Sequence, residues 1–139
     1  NIRKNISAMP QGSVLFAKSI RENFRILCPD LEEADMWQAL QDAQLDTVIK
    51  SMAHGLDTPL GQDACDLSGG QRSRLLTALA IAGTAPLIIL DEPTCGLDKQ
   101  RASKLMESLW HRMKAREQTL VVITHEEELT KKFSQVIHL

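Results

Sequence analysis

An unbroken apolar tetrad, Leu87, Ile88, Ile89 and Leu90, runs directly into Asp91-Glu92-Pro93. Four apolar residues without polar alternation are expected of a strand covered on both faces, as in a parallel sheet. Pro93 cannot donate to a ladder and closes the strand. Two adjacent carboxylates are thereby delivered to the carboxyl end of a buried strand, where open parallel sheets gather their ligands. Carboxylates so placed can hold Mg²⁺ and polarise a water.

Upstream lies Leu67-Ser68-Gly69-Gly70-Gln71. Ser68 can cap a helix running to about Ala82, with Leu75, Leu76, Leu79 and Ala80 as its buried stripe and with Gly83 and Pro86 ending it. A helix N-terminus opened by small residues can take a phosphate on backbone N–H groups, and the Ser68 hydroxyl adds a donor. A strand end bearing carboxylates and a helix end suited to phosphate are the parts a nucleotide hydrolase needs. A phosphate loop of the form G-x-x-x-x-G-K-[ST] would complete them, but the chain contains no Gly-Lys dipeptide.

The other elements follow from pattern. Ile6–Met9 reads as a short strand closed by Pro10, and residues 15–25 read as a helix stopped before Pro29. Asp30 with Glu33 makes a start like a capping box for a helix whose apolar side is Met36, Trp37, Leu40 and residues 43–45. Residues 53–66, with Gly55, Pro59 and Gly61, read as loop. Asp98 caps a long helix to about Arg116. Its stripe is Ala102, Leu105, Met106, Leu109 and Met113, with Lys104, Glu107, Arg112 and Lys114 largely outside. Residues 119–124 read as a second buried strand, 126–131 as a short helix and 135–139 as a last strand. Strand–helix–strand in the second half implies a parallel sheet with a crossover helix.

Composition narrows the class without selecting a function. Apolar content of 43 % and charge of 24 % suit a soluble globular domain. A net charge of −2 gives no bulk attraction to nucleic acid or anionic lipid. No apolar run approaches the ~20 residues of a membrane-spanning helix, and no signal peptide is visible. Cys28, Cys65 and Cys95 are widely spaced, with no C-x-x-C pair and no metal spacing, as expected of reduced cytosolic thiols.

Ordered in this way, the Ser68-Gly69-Gly70-Gln71 turn and the Asp91-Glu92 strand end resemble the signature motif and Walker B strand of ABC-type ATPases. Arg72 and Arg74 extend the match, and Leu79 departs from it where many members carry Arg. The resemblance implies an α/β fold: a P-loop NTPase-like parallel sheet core, incomplete here, with an inserted helical subdomain. Residues 1–15 would belong to the core, 16–83 to the helical subdomain with the signature motif, and 84–139 to the core again. It implies ATP and Mg²⁺. Asp91 would meet the metal, and Glu92, pointing to the other face of the strand, would orient and deprotonate the attacking water. His125, after Val121-Val122-Ile123-Thr124, would contact the γ-phosphate and help hold the water. Gln11 resembles the Q-loop glutamine that reaches Mg²⁺ and water. Gly96-Leu97-Asp98 resembles the D-loop, which crosses to a partner subunit, and a cap by Asp98 is compatible with that. His54, His111 and His138 lack such context and are expected at the surface or in packing.

Val14-Leu15-Phe16 and Ser19-Ile20-Arg21-Glu22-Asn23 look like the run that follows the Q-loop in exporter ATPases and abuts the membrane domain. Asp57-Thr58-Pro59-Leu60-Gly61-Gln62 is similar to the exporter loop before the signature, with Gln62 where Glu is usual. Residues 2–11 and 133–137 look closest to the heterodimeric thiol exporters of cytochrome bd assembly. The expected function is therefore part of an ATP-hydrolysing motor domain of an exporter at the cytoplasmic face of the inner membrane. Its partners would be a second ATP-binding domain, in a head-to-tail dimer, and transmembrane domains. In the family the P-loop lies upstream of the segment resembling residues 1–11. The chain thus reads as the C-terminal part of such a domain, inactive alone. Two alternatives are a soluble ABC-type ATPase of DNA repair or the ribosome, and a non-catalytic domain lending its signature motif in trans.

Overall fold

The computed structural model describes residues 2–61 and 67–138. The elements are α1 (Ile2–Asn5), β1 (Ile6–Met9), α2 (Ile20–Leu27), α3 (Glu33–Asp42), α4 (Asp46–Ser51), a 3₁₀ turn (Gly55–Asp57), α5 (Gly69–Ile81), β2 (Leu87–Asp91), α6 (Lys99–Ala115), β3 (Thr119–Ile123) and α7 (Glu127–Thr130). The fold is mixed α/β. Its sheet has three strands in the order β1-β2-β3, all parallel. Ile6, Leu87 and Thr119 lie in register, as do Met9, Leu90 and Val122. Helix α6 makes the crossover from β2 to β3, as the strand–helix–strand pattern requires. One hydrophobic cluster runs through the molecule, from Met9, Ile88 and Leu90 of the sheet to Phe24, Leu40 and Leu75 of the helices.

Several expectations change. The helix expected over residues 15–25 begins only at Ile20, because side chains take the backbone groups before it. Ser19 Oγ accepts the Glu22 N–H and Glu22 accepts the Ser19 N–H, a complete capping box. The buried Asn23 amide accepts from the Phe16 N–H at 2.9 Å and donates to the Phe16 carbonyl at 3.1 Å, which fixes residues 16–19 as a loop. Arg21 bonds Asp57 at 2.8 Å and Glu33 at 2.6 Å, joining α2 to the 3₁₀ turn and α3. The guanidinium holds both carboxyls below their usual range. The Ser-Ile-Arg-Glu-Asn run thus both starts α2 and ties it to the 3₁₀ turn and α3.

Asp30 does not cap α3. The chain turns first, with the Leu31 N–H on the Cys28 carbonyl, and Glu32 takes the cap position without a side-chain bond. Residues 46–51, given no element above, form α4. Leu76 is only half-buried, whereas Arg74 and Thr77 are buried on α5 together with Leu75, Leu79 and Ala80. The strand at 119–123 is not buried. It is an edge, with Val121 42 % and Ile123 49 % exposed. Leu87 and Ile89 of β2 are also only half-covered, because α5 packs against one face of the sheet. Residues 135–138 form no strand. Arg112, expected outside, is 5 % exposed. Gln62, Cys65 and Asp66 lie outside the described residues. Cys28, half-buried, and Cys95, exposed, are free thiols. His54, His111 and His138 are exposed.

Candidate functional site

Parallel strands ending in register bring distant residues to one edge. At the carboxyl ends of β1, β2 and β3 the chain places Gln11, Asp91 (the last residue of β2) with Glu92, and Thr124 with His125. The Gln11 backbone N–H donates to Asp91 Oδ2 at 3.3 Å, while the rest of this residue is exposed. Glu92 turns away from the strand with φ +50°, left-handed for a residue with a side chain. Such a conformation costs about 1–3 kcal/mol and persists only where its surroundings over-determine it. Its N–H is held by the Ile123 carbonyl at 2.8 Å.

The Glu92 carboxylate is the hub. Oε1 accepts the His125 backbone N–H at 3.1 Å and lies 2.7 Å from His125 Nδ1. Oε2 accepts from Thr124 Oγ1 at 3.4 Å. A carboxylate accepts only, so Nδ1 carries the proton and Nε2 faces away from the pair. The His125 pKa is raised above the ordinary imidazole value, first by the hydrogen bond with Glu92, then by that carboxylate's charge, with a further push from Glu126. The imidazole is 85 % exposed and the Glu92 side chain 20 %. The ring's outer edge therefore points to solvent beside a half-buried carboxylate.

Ser68 caps α5 as its sequence predicts. Its Oγ accepts the Gln71 N–H at 3.2 Å, and Gln71 Oε1 accepts the Ser68 N–H at 3.0 Å. The Gln71 side chain is thereby committed to the cap, and the Ser68 hydroxyl keeps its proton to donate. Gly69 faces open space. Asp98 caps α6 through the Arg101 N–H at 2.9 Å. Among the described residues no hydrogen bond joins Ser68, Gly69, Gly70 or Gln71 to Asp91, Glu92 or His125. The two groups sit on neighbouring elements.

Sequence reasoning left out the side chains that brace this edge. Thr94 Oγ1 donates to Glu126 Oε1 at 2.7 Å, and Ser73 Oγ donates to the Pro93 carbonyl at 3.3 Å. Their only signal was proximity to Glu92 and to the turn, since lone hydroxyls carry no pattern.

The donor set suits Mg²⁺. Among the described residues no three His, Cys, Asp or Glu side chains cluster as a metal cage. Mg²⁺ is commonly held by one or two carboxylates with water and substrate phosphates rather than by an all-protein cage. Asp91 is a carboxylate half-buried at a strand end, which is compatible with such a site.

A family model described as ABC transporter matches residues 1–95. The chain is 37 % identical over 141 residues to the ATP-dependent lipid A-core flippase of Alcanivorax borkumensis, covering 99 % of this chain and 24 % of the relative. It is 38 % identical over 140 residues to the flippase of the same name from Pseudomonas syringae pv. tomato, covering 99 % and 23 %. It is 35 % identical over 136 residues to the glutathione/L-cysteine transport system ATP-binding/permease protein CydC of Escherichia coli, covering 98 % and 23 %. The chain thus spans about a quarter of the length of these relatives.

Proposed function

The chain belongs to the ABC transporter family, and on that premise we propose that it forms part of the ATP-hydrolysing motor domain of an exporter. The observation that carries the proposal is the convergence of Gln11, Asp91, Glu92 and His125 at the carboxyl edge of one parallel sheet, with Glu92 and His125 2.7 Å apart. Relatives named for transport support an exporter over a soluble repair or ribosomal ATPase. An intact acid–imidazole pair supports a hydrolytic site over a non-catalytic one.

In this reading Asp91 would hold Mg²⁺ together with nucleotide phosphates and water, and the ion would supply charge neutralisation for phosphoryl transfer. Glu92 takes the proton of the water that attacks the γ-phosphorus, while the bond from that phosphorus to the β,γ-bridging oxygen breaks and ADP leaves with the electron pair. His125, already oriented by Glu92, presents Nε2 toward the phosphate, and the exposed Gln11 side chain reaches toward the water. Ser68 and Gly69 donate to the γ-phosphate held by a second, head-to-tail domain, and Asp98 belongs to the loop that crosses to that domain. These 139 residues contain no Gly-Lys phosphate loop, so no phosphate cradle is assigned within them. Residues 16–83 form the helical subdomain, and 1–15 with 84–139 belong to the core. The whole sits at the cytoplasmic face of the inner membrane against transmembrane domains. Among the described residues no helix is long and apolar enough to cross a membrane.

The test compares Glu92→Gln and Asp91→Asn in the intact transporter. Glu92→Gln should bind Mg-ATP normally and lose about 10²–10⁴-fold in single-turnover hydrolysis. Asp91→Asn should lose Mg-dependent nucleotide affinity as well. Equal binding defects in both, or near-normal turnover in Glu92→Gln, would overturn the assignment.

A further inference from the structure

The loop that follows the carboxylates rests on the first turns of α5. A Cβ on Gly70 would lie 3.0 Å from the Gly96 carbonyl oxygen and 3.0 Å from Leu97 Cδ2. From the other side, a Cβ on Gly96, where φ is +77°, would lie 3.3 Å from the Gly70 nitrogen. A Cβ on Gly69 would meet nothing within 4 Å. The two glycines of the turn therefore do different work: Gly69 leaves its outer side open, and Gly70 lets the loop approach. One turn along, Ser73 Oγ holds the Pro93 carbonyl, and Pro93 directly follows Glu92. Pro93 and Thr94 are buried, and Thr94 bonds Glu126 beside His125. Residues 93–94 are thus clamped between α5 and the segment that bears His125.

Glu92 needs such a clamp. A left-handed glutamate relaxes unless neighbours hold it. Its N–H is tied to Ile123 and its carbonyl accepts the Cys95 N–H at 3.1 Å, so the backbone of Glu92 moves with this loop. We propose that Gly70 and Ser73 are positioning residues for Glu92: the first turns of α5 support the 93–97 loop and thereby keep the Glu92 carboxylate on His125. That Glu92 is the catalytic base rests on the function proposed above. The restraint does not, and it is testable without nucleotide.

The experiment measures residue-resolved amide exchange and imidazole ¹⁵N shifts by NMR on the 139-residue chain. The variants are Gly70→Ala, Ser73→Ala and Gly69→Ala. Gly69 and Gly70 are the first two residues of α5, so alanine changes intrinsic helix propensity similarly at both and differs only in what its Cβ meets. In Gly70→Ala the amides of Glu92, Cys95 and Leu97 should exchange at least about tenfold faster, the change that about 1.4 kcal/mol of overpacking strain produces. The His125 Nδ1 shift should move toward that of an unbonded imidazole, while amides of α3 keep their rates. Ser73→Ala should act in the same direction more weakly, and Gly69→Ala should leave both readouts at wild-type values. Unchanged Glu92, Cys95 and Leu97 amides in Gly70→Ala and Ser73→Ala, or equal effects from Gly69→Ala, would overturn the proposal. If Gly70→Ala fails to fold, Ser73→Ala, which adds no bulk, decides alone. Loss of ATP hydrolysis in Glu92→Gln speaks only to the base, and these exchange rates speak only to the support.

Discussion

Removing Arg112 should cost the chain more stability than removing any other single charge. Arg112 lies on α6 with its side chain 2 % exposed. It pairs with Asp42 at the end of α3 and donates to the Ile81 carbonyl at the end of α5 at 2.8 Å. Three helices meet on one guanidinium. Burial pulls its pKa down and the Asp42 hydrogen bond pulls it back up, and arginine stays charged throughout. Hydrogen bonds to charged groups contribute about 1.5–3 kcal/mol each, and breaking a buried pair from one side costs about 3–5 kcal/mol. The Asp42 side chain is 17 % exposed, so water can reach it once its partner is gone. Arg112 Nε is buried without a partner among the described residues, which already subtracts from the pair's value. We therefore expect Arg112→Met to lose about 3 kcal/mol, at the low end of that range. Arg112→Met with Asp42→Leu should return to within about 1 kcal/mol of wild type, since buried pairs are replaceable by apolar residues of similar volume. Urea unfolding of the four proteins of the double-mutant cycle gives the coupling directly. A loss below about 1 kcal/mol in Arg112→Met, or a double variant equal to the sum of the singles, would refute a buried clamp.

The Glu92–His125 pair gives a pH signature. The folded-state pKa of His125 is raised, so the pair's contribution is fully present below the unfolded value of about 6.5 and is lost as pH rises through the folded value. NMR titration should place the His125 midpoint above about 6.5 in the wild type and lower it in Glu92→Gln, with the gap shrinking in high salt. A wild-type midpoint unmoved by Glu92→Gln would show that the carboxylate does not hold the ring. Gly69→Asp should leave the melting temperature of the 139-residue chain near wild type, because that position faces open space and an acidic residue is favourable at a helix start. In the intact transporter the same change should abolish ATP-driven association, since a carboxylate would oppose the γ-phosphate. ATP-driven association at the wild-type level, measured by size-exclusion chromatography, would remove Gly69 from the phosphate site.

The parts legible in sequence are those dictated by neighbours along the chain. Ser68 announces α5 because a cap is satisfied three residues away by Gln71. Asp98 announces α6 in the same way, and the tetrad at 87–90 announces β2 because its β-branched and leucine side chains precede a proline. What stayed hidden depends on contacts across the fold. Arg112 follows Leu109 by three residues and Leu105 by seven, on the buried face of α6, but its charge reads as solvent-facing, and only the approach of Asp42, far away in sequence, offsets its burial. The strand at 119–123 reads as buried because its residues are apolar, yet whether a strand is central or an edge is decided by what lies beside it. Gly70 is the sharpest instance. A Gly-Gly pair before a helix carries the same letter twice, and phosphate approach accounts for both. Only the tertiary contact with Gly96 separates them, leaving Gly69 open and giving Gly70 to the loop behind Glu92. A motif read as one unit is two devices in the fold. Substitutions at its adjacent glycines should therefore fail in different ways: Gly69 variants through binding, Gly70 variants through the placement of Glu92.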